Sequence, residues 1–355
     1  MTFLKNCWQV AAFPGEIVAD RLLRRQVSGD WVVLYRLRGN RLVALEDRCP
    51  HRSLPLSRGA LIGDTLRCGY HGLEFAADGV CTRIPGQSQI PSNARARSFP
   101  LIERYRLIWI WMGEADRADP TLIPDVHWMD DPAWDVVQGY YSIAANYRLL
   151  TDNLLDLSHE TYVHQATIGN EAIVEAPAAA TVEGGAVMVR REIANCNPPP
   201  FFQLLARVTA DTDVRRWQRT EYRPPGYCVI DVGVEVLSAT QGADRAEGRV
   251  INLITPASEI TSHYFWAFAR NCRLNEPEVS DVLRSKIGST FDEDKEVLEL
   301  QQLNLGSGER DPSYKVAIKA DLGVMLGRRI CNAALDEERG RGTERSAPSP
   351  IAASL

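Results

Sequence analysis

Residues 49–71, CPHRSLPLSRGALIGDTLRCGYH, restrict the possible folds of this chain more than any other stretch. Cys49 and His51 form a C-x-H pair, and after a spacer Cys68 and His71 form a C-x-x-H pair. Two thiolates and two imidazoles on two short loops are a metal-binding set. Zinc accepts Cys2His2, but zinc modules usually pair Cys with Cys and His with His along the chain. Here each loop offers one of each, which suits a [2Fe–2S] cluster with two cysteines on one iron and two histidines on the other. Pro50 limits the backbone between the first two ligands. Gly69 and Gly72 are expected to remove side chains that would crowd the cluster. Gly59 and Gly63-Asp64 supply turns that fold the spacer back.

A chain of 355 residues has room for two domains. With 45% hydrophobic and 24% charged residues the composition is that of an ordinary globular protein. A net charge of −6 offers no general attraction to nucleic acid or anionic membrane. No apolar run reaches the roughly 18 residues that a membrane helix needs. The start, MTFLKNCWQVAAFPGE, lacks a signal-peptide pattern, so a cytoplasmic location is expected. Besides Cys49 and Cys68, the chain holds Cys7, Cys81, Cys196, Cys228, Cys272 and Cys331, expected as small buried hydrophobes rather than disulfides.

Residues 1–115 read as strands and turns. The runs 31–37 and 41–47 flank Arg38-Gly39-Asn40, a hairpin signal, and the second leads into the first cysteine loop. Residues 76–79 form another turn, and LIWIWM (107–112) is a bulky closing strand. Together these describe a small antiparallel sandwich. Residues 116–135, rich in Asp and Pro, read as a linker, and His127 within it as a packed or surface side chain. Strands return between 180 and 270, separated by loops at 197–200 and 241–244. Residues 276–303 read as helix, with a break near Gly288, and 337–355 as a polar, disordered tail. The class is α+β, with a second domain over 136–336.

That second domain opens on a further constellation, DNLLDLSHETYVH (152–164). Residues 147–160 show helical spacing, which puts Asn153, Asp156 and His159 roughly along one face. His164 lies five residues beyond His159, about 140° around an unbroken helix. Both can hold one metal only if the helix ends between them, for which Thr161-Tyr162-Val163 is the expected place. Taken alone, Asp156 and His159 are as well read as a polar pair on a half-exposed helix. The upstream cluster motif favours a second metal. A non-heme Fe(II) site that activates oxygen uses two histidines and one carboxylate. Asp292, Glu293, Asp294 and Glu296 cluster in FDEDKEVLE, most of them an ordinary solvated face.

The C-x-H…C-x-x-H motif resembles the Rieske domain of ring-hydroxylating-type oxygenases. The order of features, the NCWQVAA start, CGYHGLEF and DNLLDLSHETYVH extend the resemblance over nearly the whole chain, to the vanillate O-demethylase oxygenase-subunit family. The resemblance implies an N-terminal Rieske sandwich holding a [2Fe–2S] cluster on Cys49, His51, Cys68 and His71. It implies a C-terminal catalytic domain whose curved antiparallel sheet is flanked by helices. The mononuclear Fe(II) would rest on His159, His164 and Asp294, the aspartate of a late E-D pair, with Asp292 as fallback. It further implies a head-to-tail homotrimer in which Asp156 links His71 of one subunit to His159 of the next, and an asparagine, Asn153, beside the iron. The implied reaction is O-demethylation of a methoxylated aromatic acid such as vanillate, giving protocatechuate and formaldehyde from O2. Related enzymes attack other aryl ethers or the methyl group of arylsulfonates. No G-x-G-x-x-G fingerprint is present, so a separate flavin or iron–sulfur reductase would deliver electrons from NAD(P)H. A bare electron carrier would leave some 240 residues, His159 and His164 without a task. Arg215, Arg216 and Arg219 are candidate partners for a substrate anion, although runs such as VRRWQR are usually surface charge.

Overall fold

Side-chain alternation along single strands lets two β regions share one wall. The computed structural model describes residues 2–165, 167–169, 172–238, 245–306 and 316–345. The expected loop at 241–244 and residues 346–355 of the expected tail lie outside these.

The N-terminal region holds three small antiparallel sheets. Trp8–Ala12 and Leu101–Arg104 flank Leu107–Trp111; Leu23–Val27, Asp30–Arg36 and Leu42–Glu46 form the second; Ala60–Ile62, Thr65–Arg67, Glu74–Phe75 and Cys81–Arg83 form the third. Leu107–Trp111 is buried throughout. Its Leu107, Trp109 and Trp111 join Tyr227, Ile251 and Phe265 in one core, while Ile108 and Ile110 turn to Val32, Leu34 and Ala44 in another. A strand apolar on both faces is therefore the seam between the two regions.

The C-terminal region is built on a seven-stranded antiparallel sheet in the order Asp135–Ile143, Thr261–Arg270, Arg245–Ser258, Tyr227–Val236, Val214–Arg223, Ala186–Cys196, Ala179–Glu183. Its helices are α1 (Tyr147–Leu155), α2 (Glu160–Val163), α3 (Ala172–Glu175), α4 (Pro200–Ala206), α5 (Pro277–Leu305) and α6 (Leu322–Arg345). Residues of α1, α4, α5 and α6 share the largest core with the sheet. Among the described residues no helix is long and apolar enough to cross a membrane. None of the eight cysteines is in a disulfide.

Three expectations need correction. Helix α5 runs unbroken past Gly288, whose carbonyl accepts the Tyr141 hydroxyl at 3.1 Å. Helix α6 continues to Arg345, beyond the expected start of a disordered tail at 337, because buried Glu338 accepts the amides of Lys5 and Asn6. The charged run VRRWQRTEYR is a central strand. Alternation sends Arg216, Gln218 and Thr220 inward, while Arg215 and Arg219 pair with Glu235 and Glu192 outside.

His263 fastens the two regions together. Its Nδ1 meets the Tyr140 hydroxyl and its Nε2 the Gln26 carbonyl, both at 2.8 Å. Burial, helped by the nearby Arg25 guanidinium, lowers its pKa to about 4. The neutral ring donates to Gln26 and accepts from Tyr140, so protonation would cost the Tyr140 bond. The unfolded chain takes up this proton below about 6.5 and the folded chain only near 4. Stability should therefore fall as pH drops through that window, by up to about 3 kcal/mol. In thermal melts, the Tm difference between pH 7 and pH 5 should shrink in a His263→Gln variant.

Candidate metal centres and pocket

The cysteine loops are local structures. In the first, the Cys49 amide donates to the Leu54 carbonyl and the Ser53 amide to the Cys49 carbonyl, both at 2.9 Å. In the second, the Cys68 amide donates to Leu73 at 2.8 Å and the Gly72 amide to Cys68 at 3.2 Å. Both sulfurs face inward, each cysteine being 2% exposed. The imidazoles of His51 and His71 emerge at the surface with ring centroids 4.5 Å apart. Burial, joined by the neighbouring Cys68 thiol, pushes the Cys49 thiol up to about 11, although the His51 and Arg52 amides point at it. Amides aimed at sulfur are what a cluster thiolate accepts. Two buried sulfurs opposite two adjacent rings fit a [2Fe–2S] cluster.

A Cβ on Gly69 would lie 2.7 Å from the Arg58 carbonyl oxygen, and Gly72 sits at φ +72°. The absence of side chains at Gly69 and Gly72 lets the chain approach and turn here. The sequence reading missed Asp47. Its buried carboxylate takes the Ser57 amide at 2.6 Å and hydroxyl at 2.8 Å, and Arg24 at 2.6 Å, fixing the first loop at both ends.

The second centre depends on where α1 stops. Asn146 caps its start, accepting the Arg148 amide. At the other end, the Asp156 carboxylate accepts the Ser158 amide at 2.7 Å and hydroxyl at 2.6 Å. This Asx turn captures an amide that a continuing helix would use, so α1 ends at Leu155. A first break thus precedes His159, and the short α2 that follows ends at Val163, so the helix also stops between the two histidines at Thr161–Val163, as expected. The same turn takes Asp156 and His159 off the helix face they were expected to share with Asn153. After it, the rings of His159 and His164 are 5.2 Å apart.

Helix α5 brings Asp294 to them. One ligand atom each from His159, His164 and Asp294 lie within 4.8 Å of one another. Asp294 Oδ1 is 3.1 Å from His164 Nε2, 3.6 Å from His159 Nε2 and accepts Asn153 Nδ2 at 3.0 Å. The other ring nitrogens are occupied: His159 Nδ1 by the Asp156 carbonyl at 2.5 Å, His164 Nδ1 by Glu293 at 2.7 Å. Such partners fix the tautomer and leave Nε2 for a metal. At His164, burial opposes a charged ring, but Asp294 and Glu293 outweigh it and the pKa is raised. Two imidazoles and one carboxylate, oriented from behind, fit a non-heme iron. Asp292 is exposed and lies against the Tyr141 hydroxyl.

A pocket opens on these three side chains. Leu157, Phe202, Ile230, Val232, Ile287 and Phe291 make it largely apolar. A polar group borders it: Glu160, buried beside His159, accepts Gln218 Nε2 at 2.6 Å and Arg216 at 3.4 Å. Arg216 is 2% exposed, so one arginine of the presumed surface run lies at the pocket. On the other side of His159 is a separate recess, lined by Asp156, Val163, Gln301, Val316 and Ile318 among others.

A domain carrying a two-cysteine, two-histidine cradle, joined to a sheet that holds a two-histidine, one-carboxylate set under an apolar pocket, defines a Rieske non-heme iron oxygenase. Residues 7–100 match the Rieske [2Fe-2S] domain, and residues 143–337 the vanillate O-demethylase oxygenase C-terminal domain. The chain is 40% identical to a vanillate O-demethylase oxygenase subunit of Pseudomonas sp. (strain HR199 / DSM 7063), over 95% of this chain and 96% of that protein. It is 37% identical to the toluene-4-sulfonate monooxygenase iron-sulfur subunit TsaM1 of Comamonas testosteroni, over 95% and 99% respectively. The crystal structure of dicamba monooxygenase bound to 3,6-dichlorosalicylic acid superposes with a TM-score of 0.88 at 32% identity, covering 96% of this chain and 99% of that one. The chain belongs to the vanillate O-demethylase oxygenase family, and it is an oxidoreductase carrying a Rieske cluster and a non-heme iron.

Proposed function

We propose that this protein is the terminal oxygenase of a Rieske O-demethylase acting on a methoxylated aromatic acid, with vanillate as the reference substrate. The observation that carries the reading is the apolar pocket ending on His159, His164 and Asp294. We assign Cys49, His51, Cys68 and His71 as cluster ligands and His159, His164 and Asp294 as iron ligands. The division into domains at 1–115 and 136–336, with 116–135 between them, is part of the proposal.

When bound, the cluster would supply single electrons and the iron would activate dioxygen. The residues of the chain arrange what surrounds that chemistry. Glu293 and the Asp156 carbonyl hold the two imidazoles in orientation, and Asn153 steadies Asp294. The apolar walls seat the ring and exclude water. Overall, Ar–O–CH3 + O2 + 2 e− + 2 H+ gives Ar–OH, formaldehyde and water. The inserted oxygen converts the methyl to a hydroxymethyl ether, which collapses to phenol and formaldehyde. A separate reductase would deliver the electrons.

A homotrimer joined through Asp156 is supported by the recess in which Asp156 and His159 are accompanied by exposed Val316 and Ile318. Apolar side chains around a half-buried histidine suit a covering subunit.

The test is a panel of methoxylated and methylated arenes with NADH and a matched reductase. One formaldehyde per O2 consumed from a methoxybenzoate supports the reading. Hydroxylation of an arylsulfonate methyl group without formaldehyde would move the protein to the chemistry of its 37%-identical relative.

A further inference from the structure

Among the described residues, the pocket lining holds one cation with no carboxylate partner. Its charged lining is Glu160, Arg216, Lys286 and Asp294, besides the two histidines. Arg216 and Glu160 neutralise each other. Asp294 is committed to His159, His164 and Asn153. Lys286 is half-buried, and among the described residues no carboxylate pairs with it. A half-buried lysine in the lining of a largely apolar pocket is a ready partner for an anion that enters it.

Its placement says what that anion is. Lys286 precedes Asp294 by eight residues on α5, about 12 Å along the helix axis. Ile287, Thr290 and Phe291 line the wall between them. That span admits one substituted benzene ring, with the reacting substituent at Asp294 and the opposite end at the ammonium.

We infer that Lys286 is the specificity-determining residue that binds an anionic ring substituent, carboxylate or sulfonate, of the substrate. The inference rests on the proposed oxygenase pocket and adds the charge class and the direction in which the substrate lies. The Arg216 charge is already balanced by Glu160, so among the described residues Lys286 is the cation of the lining left to balance an incoming anion.

The test is equilibrium binding to the oxidised holoenzyme, without reductase, of 4-methoxybenzoate, its neutral methyl ester and 4-methoxybenzenesulfonate. Iron and sulfide content and the visible spectrum verify each variant. Lys286→Met should raise the Kd of both anions about ten- to a hundred-fold, the value of one charge-assisted bond. The ester Kd should stay within about threefold, and Lys286→Arg should restore most of the anion affinity. Sulfonate bound and carboxylate not, or the reverse, identifies which anion the site selects and supports the assignment. Equal weakening of acid and ester, no weakening of either, or no anion binding by the parent protein overturns it. Because binding is read without turnover, an enzyme that binds the acid through Lys286 but releases no formaldehyde refutes only the O-demethylation reading.

Discussion

Asp294→Ala should lower the iron content from about three to about two atoms per chain, with acid-labile sulfide and the red-brown spectrum unchanged. The carboxylate is the one anionic member of its ligand trio, and it also receives Asn153 Nδ2. Loss of a partner that merely supports a ligand typically costs ten- to a hundred-fold in metal affinity. Loss of the ligand itself should cost more than about a hundred-fold, and turnover should fall below detection. The substitution also removes one of the two carboxylates that raise the His164 pKa. Glu293 stays at Nδ1, so ring orientation survives and the two imidazoles alone must hold the metal. Asp292→Ala is the matched control: it alters an exposed carboxylate beside Tyr141 and should leave the iron in place. Metal analysis of the two variants side by side decides the assignment. Full iron occupancy in Asp294→Ala, or iron loss in Asp292→Ala, would refute it.

The cluster loops were legible because their information is local. Each ligand pair sits within four residues, and the turns that shape the loops are written beside it. The pairing of His159 with His164 was also readable, but only part of its cause. β-branched residues drew attention to 161–163, where α2 does end, whereas the earlier break that closes α1 comes from a side chain two residues upstream of Ser158. Asx turns compete with helix at single positions, which a count of helical spacing does not register. Asp294 could be singled out from its acidic neighbours only by family resemblance, since contacts between residues 159 and 294 leave no mark on local pattern. The inward-facing Arg216 and Gln218 were hidden by the abundance of charge in VRRWQRTEYR. Its period of two was visible, yet only a partner such as Glu160, supplied from another element, makes a buried arginine tolerable.

Replacing Asp156 by Asn should leave three irons per chain, the visible spectrum and Tm nearly unchanged, and reduce turnover at least about a hundred-fold, two decades or about 2.8 kcal/mol. The residue has two possible tasks, and their magnitudes separate them. One is structural: its Oδ1 holds the Ser158 amide and hydroxyl, while its carbonyl orients His159. A side-chain acceptor of this kind is worth about 0.5–2 kcal/mol of stability, which a folded protein can lose without losing activity. Asparagine keeps an acceptor oxygen and the carbonyl, so the turn and the His159 orientation should persist. The other task is the proposed link between His71 of one subunit and His159 of the next, which depends on the carboxylate charge that asparagine removes. His71 is exposed on its loop, and Asp156 lines the recess beside His159, so both ends of such a contact are accessible in a single chain. Ser158→Ala serves as the complement: it removes the hydroxyl that Asp156 accepts and spares the charge. If Ser158→Ala depresses turnover as far as Asp156→Asn, the turn and not the charge is what matters. If Asp156→Asn turns over like the parent protein, the linking role is lost. A slow reoxidation of the reduced cluster by substrate and O2 in Asp156→Asn alone, followed by its visible spectrum in a single turnover, would establish that role.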